Sequence, residues 1–127
     1  MQGQREGAMN SKAPSHIRLL NLLAALRELS PFHAMSAEED ELLRSLLVRW
    51  HESANISVTD VLSRVNGVSP ATAYRRLLGL RTKGFVQLRT KVGDKRIKFV
   101  DPTALSIDYA NRVGLALEQL SGETGPR

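Results

Sequence analysis

Apolar residues recur along this chain first at helical spacing, then in strict alternation, then at helical spacing again, and those periods predict the order of its elements. From Ser15 on, Ile17, Leu19, Leu20, Leu22, Leu23, Leu26 and Leu29 make a helix too apolar for a simple surface element, and Pro31 stops it. Such a helix needs cover on two sides, from this chain's own core or from a second subunit. Ser36 and Glu39 form a capping box, in which each side chain satisfies a free backbone donor of the other. In the helix that follows, Leu42, Leu43, Leu46, Leu47 and Trp50 share one face and mark a core helix. Asn55 to Val58 reads as a short extended bridge. Thr59 is then expected to cap a two-turn helix over Asp60 to Val65, with Val61, Leu62 and Val65 inward and Asn66 and Gly67 at its end.

Ser69 followed by Pro70 is a helix start with a mechanism, because the serine caps and the proline sits where its missing donor is harmless. This third helix, 70–83, turns Ala73, Leu77 and Leu80 to the core and Thr72, Arg75, Arg76 and Gly79 outward, and Gly84 terminates it. Val86, Leu88 and Thr90 then alternate with Gln87, Arg89 and Lys91, and Ile97 and Phe99 alternate with Arg96 and Lys98. With Gly93 and Asp94 at the turn, that is a two-stranded hairpin. After Pro102, Leu105 to Leu120 forms a last helix with Tyr109, Val113, Ala116, Leu117 and Leu120 on one stripe. The expected layout is mainly α with a small β-hairpin wing, a winged helix-turn-helix with flanking N- and C-terminal helices. Its segments are a flexible tail (1–14), an N-terminal dimerisation helix (15–35), the winged helix-turn-helix (36–103), a C-terminal dimerisation helix (104–121) and a frayed end (122–127).

Charge sharpens this picture through its distribution. The net charge is +5, and nine of the eighteen basic residues (Arg75, Arg76, Arg81, Lys83, Arg89, Lys91, Lys95, Arg96 and Lys98) fall in one stretch against Asp94 alone. Glu38 to Asp60, by contrast, is acidic. A basic helix followed by a basic hairpin suits an anionic partner. A helix about 10–12 Å wide fits the B-DNA major groove, while a hairpin tip can reach the flanking backbone or the minor groove. Arg75 is the candidate for reading bases, because an arginine can bond two acceptors of guanine at once. Ser69 and Thr72 are candidates for a phosphate or a thymine methyl, Tyr74 for the backbone, and Ala71 lies on the same helix turn. Arg76, Lys91, Lys95 and Arg96 are assigned to phosphates or the minor groove, where they would contribute salt-dependent affinity.

At these residues the chain resembles the multiple-antibiotic-resistance-regulator (MarR) family of bacterial winged-helix transcription factors. Ile56-Ser57-Val58-Thr59-Asp60-Val61-Leu62 is similar to that family's entry into the helix-turn-helix. Ser69-Pro70-Ala71-Thr72, Arg75, Leu80 and Lys83-Gly84-Phe85-Val86 resemble its recognition helix and first wing strand. Asp94-Lys95-Arg96, followed by Val100 and Thr103, resembles its wing, where the resemblance implies that the Asp pins the arginine-bearing tip by an ion pair. The likeness covers residues 36–103. This chain departs from it in the extra turn residue at Asn66 and Gly67, in Arg76 at a usually apolar position, and in having one Asp-x-Arg unit instead of two. Other winged-helix groups therefore stay open.

The resemblance implies a homodimeric, sequence-specific regulator of double-stranded DNA with half-sites about 34 Å apart. Two other readings compete with it: a protein-interaction module on the same scaffold, and a nonspecific, architectural or replication-associated DNA binder. An effector pocket is also implied, though no polar cluster marks one. No enzyme chemistry is legible. His16, His33 and His51 are scattered, so neither a metal site nor a cofactor is expected. The absence of cysteine excludes disulfides and thiolate chemistry. Glu38, Glu39, Asp40 and Glu41 suit a helix N-terminus without any reaction. With neither a leader-like start nor a membrane-spanning apolar run, a cytoplasmic protein is expected.

Overall fold

A computed structural model describes residues 13–64 and 67–124. The expectations for the tail over 1–12, for Val65 and Asn66, and for 125–127 lie outside the described residues. The described residues fall into two compact units, one within 34–110 and the other made of 13–33 with 111–124. Its helices are α1 (Ser15–Glu28), α2 (Ala37–Glu52), α3 (Val58–Ser63), α4 (Pro70–Thr82) and α5 (Ala104–Thr124), and its strands are β1 (Val86–Lys91) and β2 (Asp94–Pro102).

In the larger unit, the capping box starts α2: Ser36 Oγ accepts from the Glu39 amide at 3.0 Å, and Glu39 Oε1 accepts from the Ser36 amide at 2.9 Å. Leu42, Leu43 and Leu46 on α2, Val61 on α3, and Ala73, Leu77 and Leu80 on α4 are all buried. Phe85, Val86, Val100 and Tyr109 join this core. Trp50 is half-buried, and its indole Nε1 donates to the Val100 carbonyl at 2.8 Å, so the expected packing residue also anchors β2. Arg49 of α2 pairs with Asp60 of α3 and fixes the second helix on the first.

The start of α3 corrects the sequence expectation. Ser57, not Thr59, is the cap: its Oγ accepts from the Asp60 amide at 3.0 Å, and the helix begins at Val58. The reason is tertiary. The Val100 amide donates to the Ile56 carbonyl at 2.8 Å and Ser57 bridges Phe99, so the extended segment ends against β2 and the helix must start immediately after it.

β1 and β2 pair antiparallel, from Val86 opposite Pro102 to Thr90 opposite Lys98, after which the register slips so that Lys91 faces Asp94. The turn is Val92 and Gly93, not Gly93 and Asp94; Gly93 takes φ 89°, a conformation that glycine adopts without steric cost. The slip leaves Lys95, Arg96 and Ile97 between paired positions, and a bulge of this kind re-aims side chains at a hairpin end. At the hairpin base, Thr103 Oγ1 donates to the Gly84 carbonyl at 2.6 Å while the Ser106 hydroxyl accepts from the Thr103 amide at 2.9 Å, locking the start of α5. Tyr109 then donates to Asp40 Oδ1 at 2.7 Å, a buried bond between α5 and α2.

In the smaller unit, α1 ends at Glu28, just ahead of the stop expected at Pro31 within the 15–35 segment. Leu29 is already extended, and a separate 3-10 turn covers Phe32–Ala34. A proline disfavours helix at the residue before it, which is why Ser30 and Pro31 break the segment. Leu26, Phe32 and Leu120 are buried, and the Arg112 guanidinium lies 5.7 Å from the Phe32 ring centroid. On the expected stripe of α5, Tyr109 and Leu120 are buried while Leu117 is 53% exposed; Leu115, off that stripe, is 63% exposed. No helix among the described residues is long and apolar enough to cross a membrane.

Candidate nucleic-acid interface

Helix α4 divides its polar residues between two flanks, a division that follows from 3.6 residues per turn once the buried stripe of Ala73, Leu77 and Leu80 is fixed. Ala71, Tyr74, Arg75, Arg81 and Thr82 are exposed, with Tyr74 at 39%. Among the described residues, Arg75 and Arg81 make no ion pair. Ala71, Arg75 and Thr82 point away from the buried stripe, Tyr74 and Arg81 lie to one side of it, and Thr72, Arg76, Gly79 and Lys83 to the other, where the last three meet α2.

That second flank corrects the expectation that Arg76 and Gly79 simply face outward. Arg76 is half-buried and lines a cavity of about 260 Å³ with Glu38, Glu41, Leu42 and Ser45 of α2, Ala73, and Arg64. Gly79 packs so closely on α2 that a Cβ there would collide with the Glu39 carboxylate. That carboxylate also receives the Lys83 ammonium, so one side chain caps α2 and holds the end of α4.

Burial works against the ionised form of Glu39, but the hydrogen bonds from Lys83 and from the Ser36 amide, with the Lys83 charge, outweigh it and hold the pKa below its ordinary value. A carboxyl with a lowered folded pKa stabilises the fold above its unfolded pKa, and that stabilisation is lost as pH falls through the folded value. Acidification from about pH 6 to about pH 3 should therefore lower the Tm of the native chain more than that of Glu39→Gln, whose amide keeps the capping box but carries no charge. Equal slopes in thermal melts across this range would show that the pair adds nothing.

At the start of α4, Ser69 is exposed and its hydroxyl is engaged locally: it accepts from the Thr72 amide at 3.2 Å and donates to Thr72 Oγ1 at 3.1 Å. Ser69 thus builds the helix end, and the Thr72 hydroxyl keeps its own proton to donate.

The wing sorts its cations in the same way. Arg89 is a structural residue, with Nε 2.7 Å from Asp101, Nη2 donating to Asn55 at 3.1 Å, and its guanidinium 4.7 Å from the Phe99 ring centroid. Its bond to Asp101 raises its pKa further. Arg96 pairs with Asp94 at 3.1 Å while its side chain stays 90% exposed. The Arg96 side chain and then its amide lower the pKa of Asp94, with help from the charge of Lys91. This ion pair is the one the resemblance implies for the tip. Lys91 and Lys95 are exposed, and among the described residues neither is held in a close ion pair, though Lys91 faces Asp94 and acts on it through its charge.

Two residues of this surface escaped the sequence reading. Arg81 sits seven positions after Tyr74, hence on the same flank of α4, and helical spacing could have found it. Val92, at the tip of the turn, carried no periodic signal at all.

No protein-family model and no curated protein matches the sequence. Solved structures do. The transcriptional regulator Tm0710 from Thermotoga maritima superposes with a TM-score of 0.60 at 13% identity, covering 87% of this chain and 78% of that one. The heme sensor protein PefR from Streptococcus agalactiae, in complex with heme, gives 0.57 at 19% identity, covering 87% and 74%. A MarR-like transcription regulator from Bacillus cereus gives 0.53 at 16% identity, covering 100% of this chain and 86% of that one. At these identities the likeness establishes the fold: a MarR-like winged helix, mostly helical with a two-stranded antiparallel wing.

Proposed function

We propose that this chain is a sequence-specific, double-stranded DNA-binding transcriptional regulator that acts as a homodimer. Helix α4 enters the major groove, and the wing rests on the flanking backbone or minor groove. The observation that carries this is the exposed side of α4: Arg75 points away from the buried stripe and Tyr74 and Arg81 stand exposed to one side of it, while the acids of α2 engage or face the other side through Lys83 and Arg76. Charge that is already paired within the fold adds little to phosphate binding. Charge that is exposed and unpaired releases counterions when it meets DNA. In this division Arg75 reads base edges, Thr72 and Tyr74 meet the backbone, and Lys91 and Lys95 meet phosphates, while Arg96, paired with Asp94 yet 90% exposed, supplies a weaker contact there. Ser69 and Arg76 support the helix from its cap and its flank, and Ala71 leaves room for close approach.

A second copy would cover the apolar surface of α1 and α5, where Leu20, Leu115 and Leu117 are exposed. Two-fold symmetry then spaces the half-sites about one helical turn, roughly 34 Å, apart.

Electrophoretic shifts across a salt series test the assignment. Binding should weaken linearly in log–log form, and Lys91→Ala or Lys95→Ala should each flatten the slope by about one unit per neutralised contact while weakening all sequences alike. Retention of the native slope in both variants would remove the wing from the interface. Failure to bind any duplex at about 50 mM salt would count against DNA as the partner.

A further inference from the structure

We infer that Val92 at the wing tip is a specificity determinant that reads A·T base pairs through the minor groove. The inference rests on the DNA-binding reading above and commits the tip to one groove.

Val92 is 95% exposed, the highest value among the exposed large apolar residues of the described chain. Turn positions favour Gly, Asn, Asp and Ser, each for a conformational reason that a β-branched residue lacks. The turn at Val92 and Gly93 already has its left-handed glycine, with φ 89° and open space around it, so the fold itself makes no visible use of the valine. Its surroundings are cationic. Lys91, which faces Asp94 across the turn, precedes it, Lys95 follows within the bulge, and neither is held in a close ion pair among the described residues. Arg96, the guanidinium of the tip, is held by Asp94 through both Nε and Nη2. The foremost group of the wing is therefore an isopropyl group flanked by ammonium groups.

That chemistry fits a narrow minor groove. An A·T pair presents only acceptors there, whereas a G·C pair adds the guanine N2 amino group, which projects into the groove floor. A·T-rich steps also narrow the groove and deepen its negative potential, which favours flanking lysines. Apolar side chains inserted from the minor groove are an established means of contacting such steps. Methyl groups gain contact with the sugar walls where the amino group is missing and meet a polar obstruction where it is present. Flat phosphate contact would give the valine no role.

Base analogues that alter only the minor groove test this on the full chain and its selected duplex. Replacing guanine by inosine at the flanking positions removes the N2 amino group and leaves the major-groove pattern intact; affinity should rise severalfold. Replacing adenine by 2,6-diaminopurine adds that group, and affinity should fall by about tenfold. V92G, which leaves a Gly-Gly turn compatible with a hairpin, should bind the native site about tenfold more weakly and respond to both analogues much less than the native chain, keeping only the share owed to the flanking lysines. Unchanged affinity in V92G, or equal analogue responses in V92G and the native chain, would overturn the assignment while leaving DNA binding in place. A native chain that binds no duplex would overturn the DNA reading itself, and this inference with it.

Discussion

Arg75→Ala should lower affinity for the selected site by about 1–3 kcal/mol per half-site and relax base preference at one position in each. Two features make this effect larger than for the other cations. The side chain is exposed on the face of α4 opposite the buried stripe, and among the described residues it has no ion pair to lose, so truncation should leave the fold intact. A bidentate guanidinium also distinguishes guanine from every other base in the major groove, whereas a phosphate contact weakens all sequences alike. Binding-site selection with the native and variant chains separates the two roles. A uniform loss with unchanged preference would move Arg75 onto the backbone and leave Thr72 or Tyr74 as the base reader.

Leu77→Ala should destabilise the larger unit by about 2–5 kcal/mol, through lost transfer free energy and the cavity left behind. Leu77 is 0% exposed, on the stripe that seats α4 against the core formed with α2. Its neighbour Leu78 is only half-buried, so Leu78→Ala should cost clearly less. Urea unfolding of the two variants would read the rotation of α4 directly. Equal losses would mean that the helix is turned away from the setting on which the outward flank depends. A binding defect in Leu77→Ala that recovers at low temperature, where the variant is folded, would show that the leucine acts by seating α4.

Much of the fold was legible in the sequence because its signals are local. The leucine face of α2, the Ser36 and Glu39 capping box, Ser69 before Pro70, and the alternation of Val86, Leu88 and Thr90 depend on spacing alone. The errors occurred where a tertiary contact chose between local options. Ser57 and Thr59 are both competent caps, and only the pairing of Ile56 and Ser57 with β2 selects the first. Arg76 and Gly79 share the polar part of α4 with Arg75, yet the approach of α2 draws them to its own flank. The Glu39 to Lys83 pair spans residues too distant in sequence for any window to join. Leu117 lies on the stripe that periodicity picks out in α5, but periodicity does not say what covers that stripe; the described chain leaves Leu117 half exposed. The basic stretch behaved the same way. Sequence located the cations, and the structure separates Arg89 and Lys83, which hold the fold together, from Arg75, Arg81, Lys91 and Lys95, which remain exposed and outside any close ion pair among the described residues.

Selection of bound duplexes from a random pool tests most directly whether the outward flank of α4 and the wing form a DNA-reading surface. At about 50 mM salt the native chain should enrich a two-fold symmetric site with half-site centres about one helical turn apart. A pool that stays unenriched, or duplexes that are not retained at that salt, would contradict it.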